Sequence, residues 1–291
     1  MHKDALFFGL HGLQLPGPSF ELGRSIIIRK TYASIFAPFM VAFAPPESPD
    51  KHHPGPWSAA SGGVSYEISA ELVIPIGQGR GSKECLQIAR VILFLLRLGV
   101  NPAITLPVFS NMAFSKESAG AKDQTLHLFE VQRRSFALAV DESAATGKSL
   151  GWVKENWETV EKLVNSSSKF ALASEAIDQG QFVQNTALTL VSLWGALEAL
   201  FLTDRSELSF RVSSLIASFL EAPGDDRKER QKKIAGLYGK RSAAAHGSPK
   251  HSEQHVLDSF NLLREVLFKI IERGSVPTSD QLNSMLFGAD R

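Results

Sequence analysis

The chain has 291 residues, 44% of them apolar and 21% charged, with a formal net charge of +1. That balance supports a packed core and excludes a wholly disordered chain, and it excludes a global attraction to polyanions, so any nucleic-acid binding has to come from a local patch. The single cysteine, Cys85, excludes an intrachain disulfide and fits a reducing compartment.

In chain order, residues 1–13 hold a short apolar run with no small-residue cleavage site, and they read as a strand, not a secretion signal. Further strands are predicted at 24–30, 66–76, 103–110 and 125–131, with the first at 5–13. Each is rich in Phe, Ile, Val and Leu and is bounded by Gly, Pro and Ser. The stretch 45–63, with its prolines, His52, His53 and a Ser-Gly-Gly, predicts a long loop. One apolar helix is predicted at 82–98. Its core is too short to span a bilayer and contains Arg97. The segment 185–202 has the length but carries Glu198 and several Ser and Thr residues, so it reads as a core helix. The expectation is a cytoplasmic protein that makes no use of a membrane.

From about Ser149 the period changes from two to about 3.6. Trp152, Trp157, Val160 and Val164 begin an amphipathic helix. Leu188, Val191, Trp194, Leu197 and Leu200 mark a second, and Leu208, Val212, Leu215 and Phe219 a third. A basic helix at 225–246 and an apolar one through Val256, Phe260, Leu263, Leu267 and Ile270 follow. Thr278 and Gln281 fit a capping box for a short last helix. The predicted class is α+β: a mixed, strand-rich domain at 1–145, then an all-α bundle at 149–291, with a boundary near 142–149 and no internal repeat.

The sharpest local feature is Leu237-Tyr238-Gly239-Lys240-Arg241-Ser242-Ala243-Ala244-Ala245-His246-Gly247. Gly247 and Pro249 stop the helix, which puts His246 on its last turn. On an ideal helix His246 lies about 140° from Arg241, and the long arginine side chain is expected to lean toward the last turn. Attack of an RNA 2′-hydroxyl on its neighbouring phosphate needs a base that titrates near neutral pH and a fixed cation for the phosphorane charge. Histidine suits the first role and arginine the second. The product is a 2′,3′-cyclic phosphate, and neither metal nor cofactor is required. The same two residues also complement a helix dipole with no function attached.

The string Leu-Tyr-x-x-Arg-Ser-x-x-x-His-Gly resembles the signature of ApeA-like HEPN domains. Trp194-Gly195-Ala196-Leu197-Glu198-Ala199-Leu200-Phe201 is similar to that family's buried second helix with its glutamate. Glu207-Leu208-Ser209-Phe210-Arg211-Val212 is similar to the start of its third. The resemblance covers roughly 149–274. It implies a helical bundle that pairs as a homodimer, with two Arg-x4–6-His motifs forming one composite ribonuclease site. His246 would then transfer the proton and Arg241 would stabilise the phosphate. Family members act in antiphage defence, abortive infection and toxin–antitoxin pairs, which implies an antitoxin or a phage-derived trigger as a partner. Active members often carry Asn, Asp or His after the arginine. This chain has Ser242, whose hydroxyl still donates a hydrogen bond but leaves room for a domain that only binds.

From Asp225 to Arg241 there are seven cations (Arg227, Lys228, Arg230, Lys232, Lys233, Lys240, Arg241) and three anions (Asp225, Asp226, Glu229), a local net charge of +4. Lys240, Lys233, Lys232 and Arg230 are the candidates for binding an RNA backbone, and a solvated helix face is the plain alternative. Glu198, inside an apolar helix, either orients Arg241 or Tyr238 or points to solvent. Thr146-Gly147-Lys148-Ser149 imitates a phosphate-binding loop, but Glu142 stands where the motif needs its first glycine. Gly77-Gln78-Gly79-Arg80-Gly81 lacks dinucleotide-loop spacing and reads as a turn. His2, His11, His52, His53 and Asp50 have no metal-ligand spacing. Two functions compete: a metal-independent endoribonuclease, and a non-catalytic dimerisation module that binds RNA or protein. A weaker third is a toxin controlled by nucleotidylation of Tyr238.

Overall fold

The structure, a computed structural model, describes residues 5–77, 79–115, 120–130, 145–180, 183, 185–201, 208–247 and 251–288. The chain is α+β: an antiparallel sheet dominates its first part and a helical bundle its second. Among the described residues it forms two compact units. The first takes those of Met1–Ala89, Ile104–Val131 and Ser143–Gly147, the second those of Arg90–Ala103 and Lys148–Arg291. The domains read from the sequence put 90–103 with the strands. These residues cluster with the helices instead.

The first unit is a six-stranded sheet of β1 (Ala5–His11), β2 (Ser19–Gly23), β3 (Ile26–Ala42), β4 (Trp57–Pro75), β5 (Thr105–Ser110) and β6 (Leu126–Leu128), in the order β2-β3-β4-β1-β5-β6. Every neighbouring pair is antiparallel. Central β1 is a continuous apolar run because both of its faces are covered. Phe8 and Leu10 share one face with Leu72 and Ile74, all fully buried. Phe7, Ile68, Val108 and Phe114 form a smaller core on the other. Buried Glu71 is satisfied by Arg29 Nε at 2.7 Å and the Phe114 N–H at 2.9 Å.

Several strand expectations change: β3 runs on to Ala42, well past the expected end at 30, and β6 shrinks from 125–131 to Leu126–Leu128. β1 ends at His11, where a bulge shifts its register against β4. β2 was not foreseen: Ser19–Gly23 alternates polar and apolar residues, but it is only five residues long and buries only Leu22. β4 already begins at Trp57, so the expected loop at 45–63 shortens to the turn before it. There His53 Nδ1 meets the Ala44 carbonyl at 2.9 Å, and Trp57 Nε1 donates to the Pro54 carbonyl at 3.0 Å.

α1 (Ser82–Gly99) starts where Glu84 accepts the Gly81 N–H at 3.0 Å. Its half from Arg90 onward belongs to the second unit. The bundle continues with α2 (Gly147–Ser166), α3 (Ser168–Gln179), α4 (Thr186–Phe201), α5 (Leu208–Leu220), α6 (Asp225–Ala245), α7 (Glu253–Arg273) and α8 (Ser279–Phe287). α3 is a helix that the spacing of apolar residues does not predict. Ser167 caps it by accepting the Phe170 N–H, and it buries Phe170, Ala173, Ala176 and Ile177. It also supplies Asp178, which pairs with buried Arg97 at 2.7 Å. That pairing explains how an arginine sits among apolar neighbours without any bilayer. Both bonds of the Thr278–Gln281 capping box form, at 3.3 and 3.0 Å. Glu142, Glu207 and Pro249 lie outside the described residues. No helix among the described residues is long and apolar enough to cross a membrane.

Candidate functional site

α6 carries the motif. Asp225 and Asp226 in its first turn favour the positive end of the helix dipole. Ile234 and Tyr238, four residues apart, form the stripe it buries, joined by Ala244 near its end. His246 is the C-cap residue, and Gly247 takes the left-handed conformation at φ +71, with its N–H on the Ala244 carbonyl at 3.1 Å.

α4 faces this stripe. It is apolar nearly all round, and Glu198 is its one acidic residue. Trp194 is fully buried and donates from Nε1 to Ser259 Oγ at 3.0 Å. Its ring meets the Tyr238 ring edge to face, 5.2 Å between centroids. The Arg241 guanidinium lies over the Tyr238 ring at 5.5 Å. Arg241 Nη2 donates to Glu198 Oε2 at 3.2 Å and stands 3.1 Å from Oε1. Arg241 Nε and Glu198 Oε1 are buried without a hydrogen-bond partner among the described residues. Burial first, then the Glu198 carboxylate beside it, pushes the Tyr238 phenol above its ordinary value of 10.0, and Arg241 opposes them. Glu198 therefore touches both residues it was a candidate to orient.

The arginine was expected to lean toward the last turn. It leans the other way, toward Tyr238, three residues before it. Side chains on a helix tilt toward its N-terminus, and Glu198 fixes this one there. His246 is exposed, with no side-chain hydrogen bond among the described residues. Ser242 is half-buried, and its carbonyl accepts the His246 N–H at 3.3 Å. Tyr238 is 6% exposed, so little of it is accessible to nucleotidylation.

The candidate RNA-binding cations divide. Arg230, Lys233 and Lys240 line a groove of about 580 Å³ between α6 and α7, and Lys232 is exposed off it. Arg230 is already paired with Glu265. The α7 wall of this groove, with His255, Asp258 and Asn261, was not read from the sequence. Nor was an apolar groove of about 470 Å³ in the first unit, beside Phe114, Leu126 and Leu128. Thr146-Gly147-Lys148-Ser149 runs into the first turn of α2, and Gly77 and Arg80 close a tight turn at 2.9 and 3.1 Å. No group of three or more His, Cys, Asp or Glu among the described residues has the geometry to hold a metal ion.

Comparison with protein-family models, with curated proteins and with solved structures finds no match for the chain.

Proposed function

We propose that the chain is a metal-independent endoribonuclease of the ApeA-like HEPN kind, acting as a homodimer and leaving 2′,3′-cyclic phosphate ends. The observation that carries the reading is a fixed guanidinium and an unengaged imidazole on the last turns of one basic helix. Arg241 is held by Glu198 and Tyr238, and His246 is exposed beyond it. A preset cation needs little reorganisation when charge develops on phosphate. An exposed histidine is free to exchange protons with a bound 2′-hydroxyl. Arg241 turns away from its own chain's His246, which favours a site completed by the histidine of a second copy. Ser242, Glu198 and Tyr238 support the arginine, and no metal or cofactor takes part.

The setting that follows from this reading is a cytoplasmic toxin or antiphage defence protein. The sheet unit would receive an antitoxin or a phage-derived trigger. Sedimentation of the purified chain, with end-group analysis of the RNA it cuts in EDTA, tests both halves of the proposal. A dimer leaving cyclic phosphates is the expected result, and a monomer leaving 3′-hydroxyl ends contradicts it.

One observation favours the second reading, a non-catalytic dimerisation module for RNA or protein. The Glu198 carboxylate already neutralises Arg241. A phosphate has to compete with it, and where the carboxylate wins, the motif only shapes a surface.

A further inference from the structure

We infer that the groove between α6 and α7 holds single-stranded RNA, with phosphates on Lys233 and Lys240 and a base over Leu237. The inference rests on the RNA reading above and adds a binding path that the motif does not contain.

Steps of three and four residues put Arg230, Lys233, Leu237 and Lys240 along one face of α6, the face that lines the groove. Arg230 is neutralised by Glu265. Lys233 and Lys240 have no acidic partner among the described residues. They stand two turns apart, about 10 Å along the axis at 1.5 Å per residue. Both are therefore free to meet successive parts of a phosphate backbone, and Lys240 is the direct neighbour of Arg241.

The floor is apolar. Leu237, half-buried, presents its side chain to the groove, while Ile234 and Leu262, at 1% and 4% exposure, only back it. Gly236 leaves a stretch of bare helix in the lining, where even a Cβ would meet nothing within 4 Å. The opposite wall is polar. The Ser252 N–H donates to His255 Nδ1 at 3.0 Å, so that nitrogen is an acceptor and Nε2 carries the proton of the neutral ring. Nε2 is thus a donor, and Asn261 adds an amide with both donor and acceptor. Asp258 is already bonded to Gln254 at 2.8 Å.

A cationic wall, an apolar floor and a hydrogen-bonding wall match phosphate, base face and base edge. The volume of about 580 Å³ suits one nucleotide unit and its flanks. A protein helix would also fill a groove, but the lining sets Arg230, Lys233 and Lys240 against Asp258 and Glu265, and the two lysines left without an acidic partner among the described residues favour a polyanion.

The test uses the full chain and a fluorescein-labelled oligouridylate bearing one 4-thiouridine. Anisotropy is read across a salt series, and photo-crosslinks are mapped by peptide. For the Lys233→Ala/Lys240→Ala double variant, binding should weaken about tenfold or more. Its slope of log affinity against log salt should fall by about 1.4, at roughly 0.7 per lost phosphate contact on a single strand. Lys162→Ala, an exposed charge on α2, should change neither. Gly236→Trp should weaken binding with every charge intact, and crosslinks should fall in α6 and α7. Thermal melts establish that each variant is folded. Equal weakening by Lys162→Ala, an unaffected double variant, crosslinks elsewhere, or no binding by the wild type overturns the inference. Arg241-dependent cleavage with groove-independent binding removes the groove and leaves the nuclease. Groove-dependent binding without cleavage removes the nuclease and leaves the groove.

Discussion

Glu198 of α4 and Arg241 of α6, 43 residues apart in sequence, meet with Nη2 3.2 Å from Oε2 and 3.1 Å from Oε1. Each side chain keeps a little under a quarter of its surface exposed. The pair is therefore partly desolvated, and its coupling lies above that of a surface pair and below that of a fully buried one. A double-mutant cycle with Glu198→Gln and Arg241→Met, read by denaturant melts, should give a coupling of about 1 kcal/mol. Additive losses would mean that the contact positions nothing.

Tyr238 offers a pH-dependent signature. Its folded-state phenol is raised above 10.0, chiefly by burial and then by Glu198. Above pH 10 the unfolded chain therefore gives up this proton before the native chain does. Stability tied to Tyr238 is present in full below pH 10 and is lost as pH rises through the folded-state value. The ultraviolet difference titration of wild type against Tyr238→Phe should place this ionisation above 10. The wild type should also lose stability more steeply than the variant in that range. A Tyr238 transition at or below 10 would show that the hydroxyl is not packed against Glu198.

Two glycines of the helical unit should respond to alanine with opposite signs. A Cβ on Gly99 would stand 2.7 Å from the Trp152 ring, which is itself packed on Phe268 at 4.8 Å and has little room to yield. Gly99→Ala should cost about 1–3 kcal/mol through overpacking. A Cβ on Gly236, in the interior of α6, meets nothing within 4 Å. Gly236→Ala should stabilise by about 0.8–1 kcal/mol through helix propensity. Thermal melts of the two variants check this, and a shift of the same sign in both would contradict the packing described.

Much of this was legible because the periodic signals are strong. The basic run and glycine stop of α6 and the Thr278–Gln281 box are local patterns, and each appears in the fold; of the α4 stripe, Trp194, Leu197 and Leu200 are buried, whereas Leu188 is exposed and Val191 half-buried. α3 was not legible, because two of its four buried positions are alanines and, of its three large apolar residues, Leu172 is 49% exposed and breaks the stripe of Phe170 and Ile177. Its Ser167 cap was the available signal. β2 carries an alternating signal in Phe20 and Leu22, but five residues with only Leu22 buried are too few to stand out from a turn. At the site, residue identities were readable but directions were not. The sequence placed Arg241 and His246 on one helix end. Where the guanidinium points depends on Glu198, which comes from a different helix. The α7 wall of the groove was invisible for the same reason, since His255 and Asn261 gain meaning only opposite Lys233 and Lys240.

The central claim is that Arg241 and His246 cut RNA without a metal. The most direct measurement is cleavage of end-labelled tRNA, mRNA and rRNA in EDTA by the wild type, Arg241→Ala and His246→Ala. The account predicts cleavage by the wild type alone, leaving 2′,3′-cyclic phosphate ends, with both variants folded and binding RNA. Equal cleavage by all three proteins would contradict it.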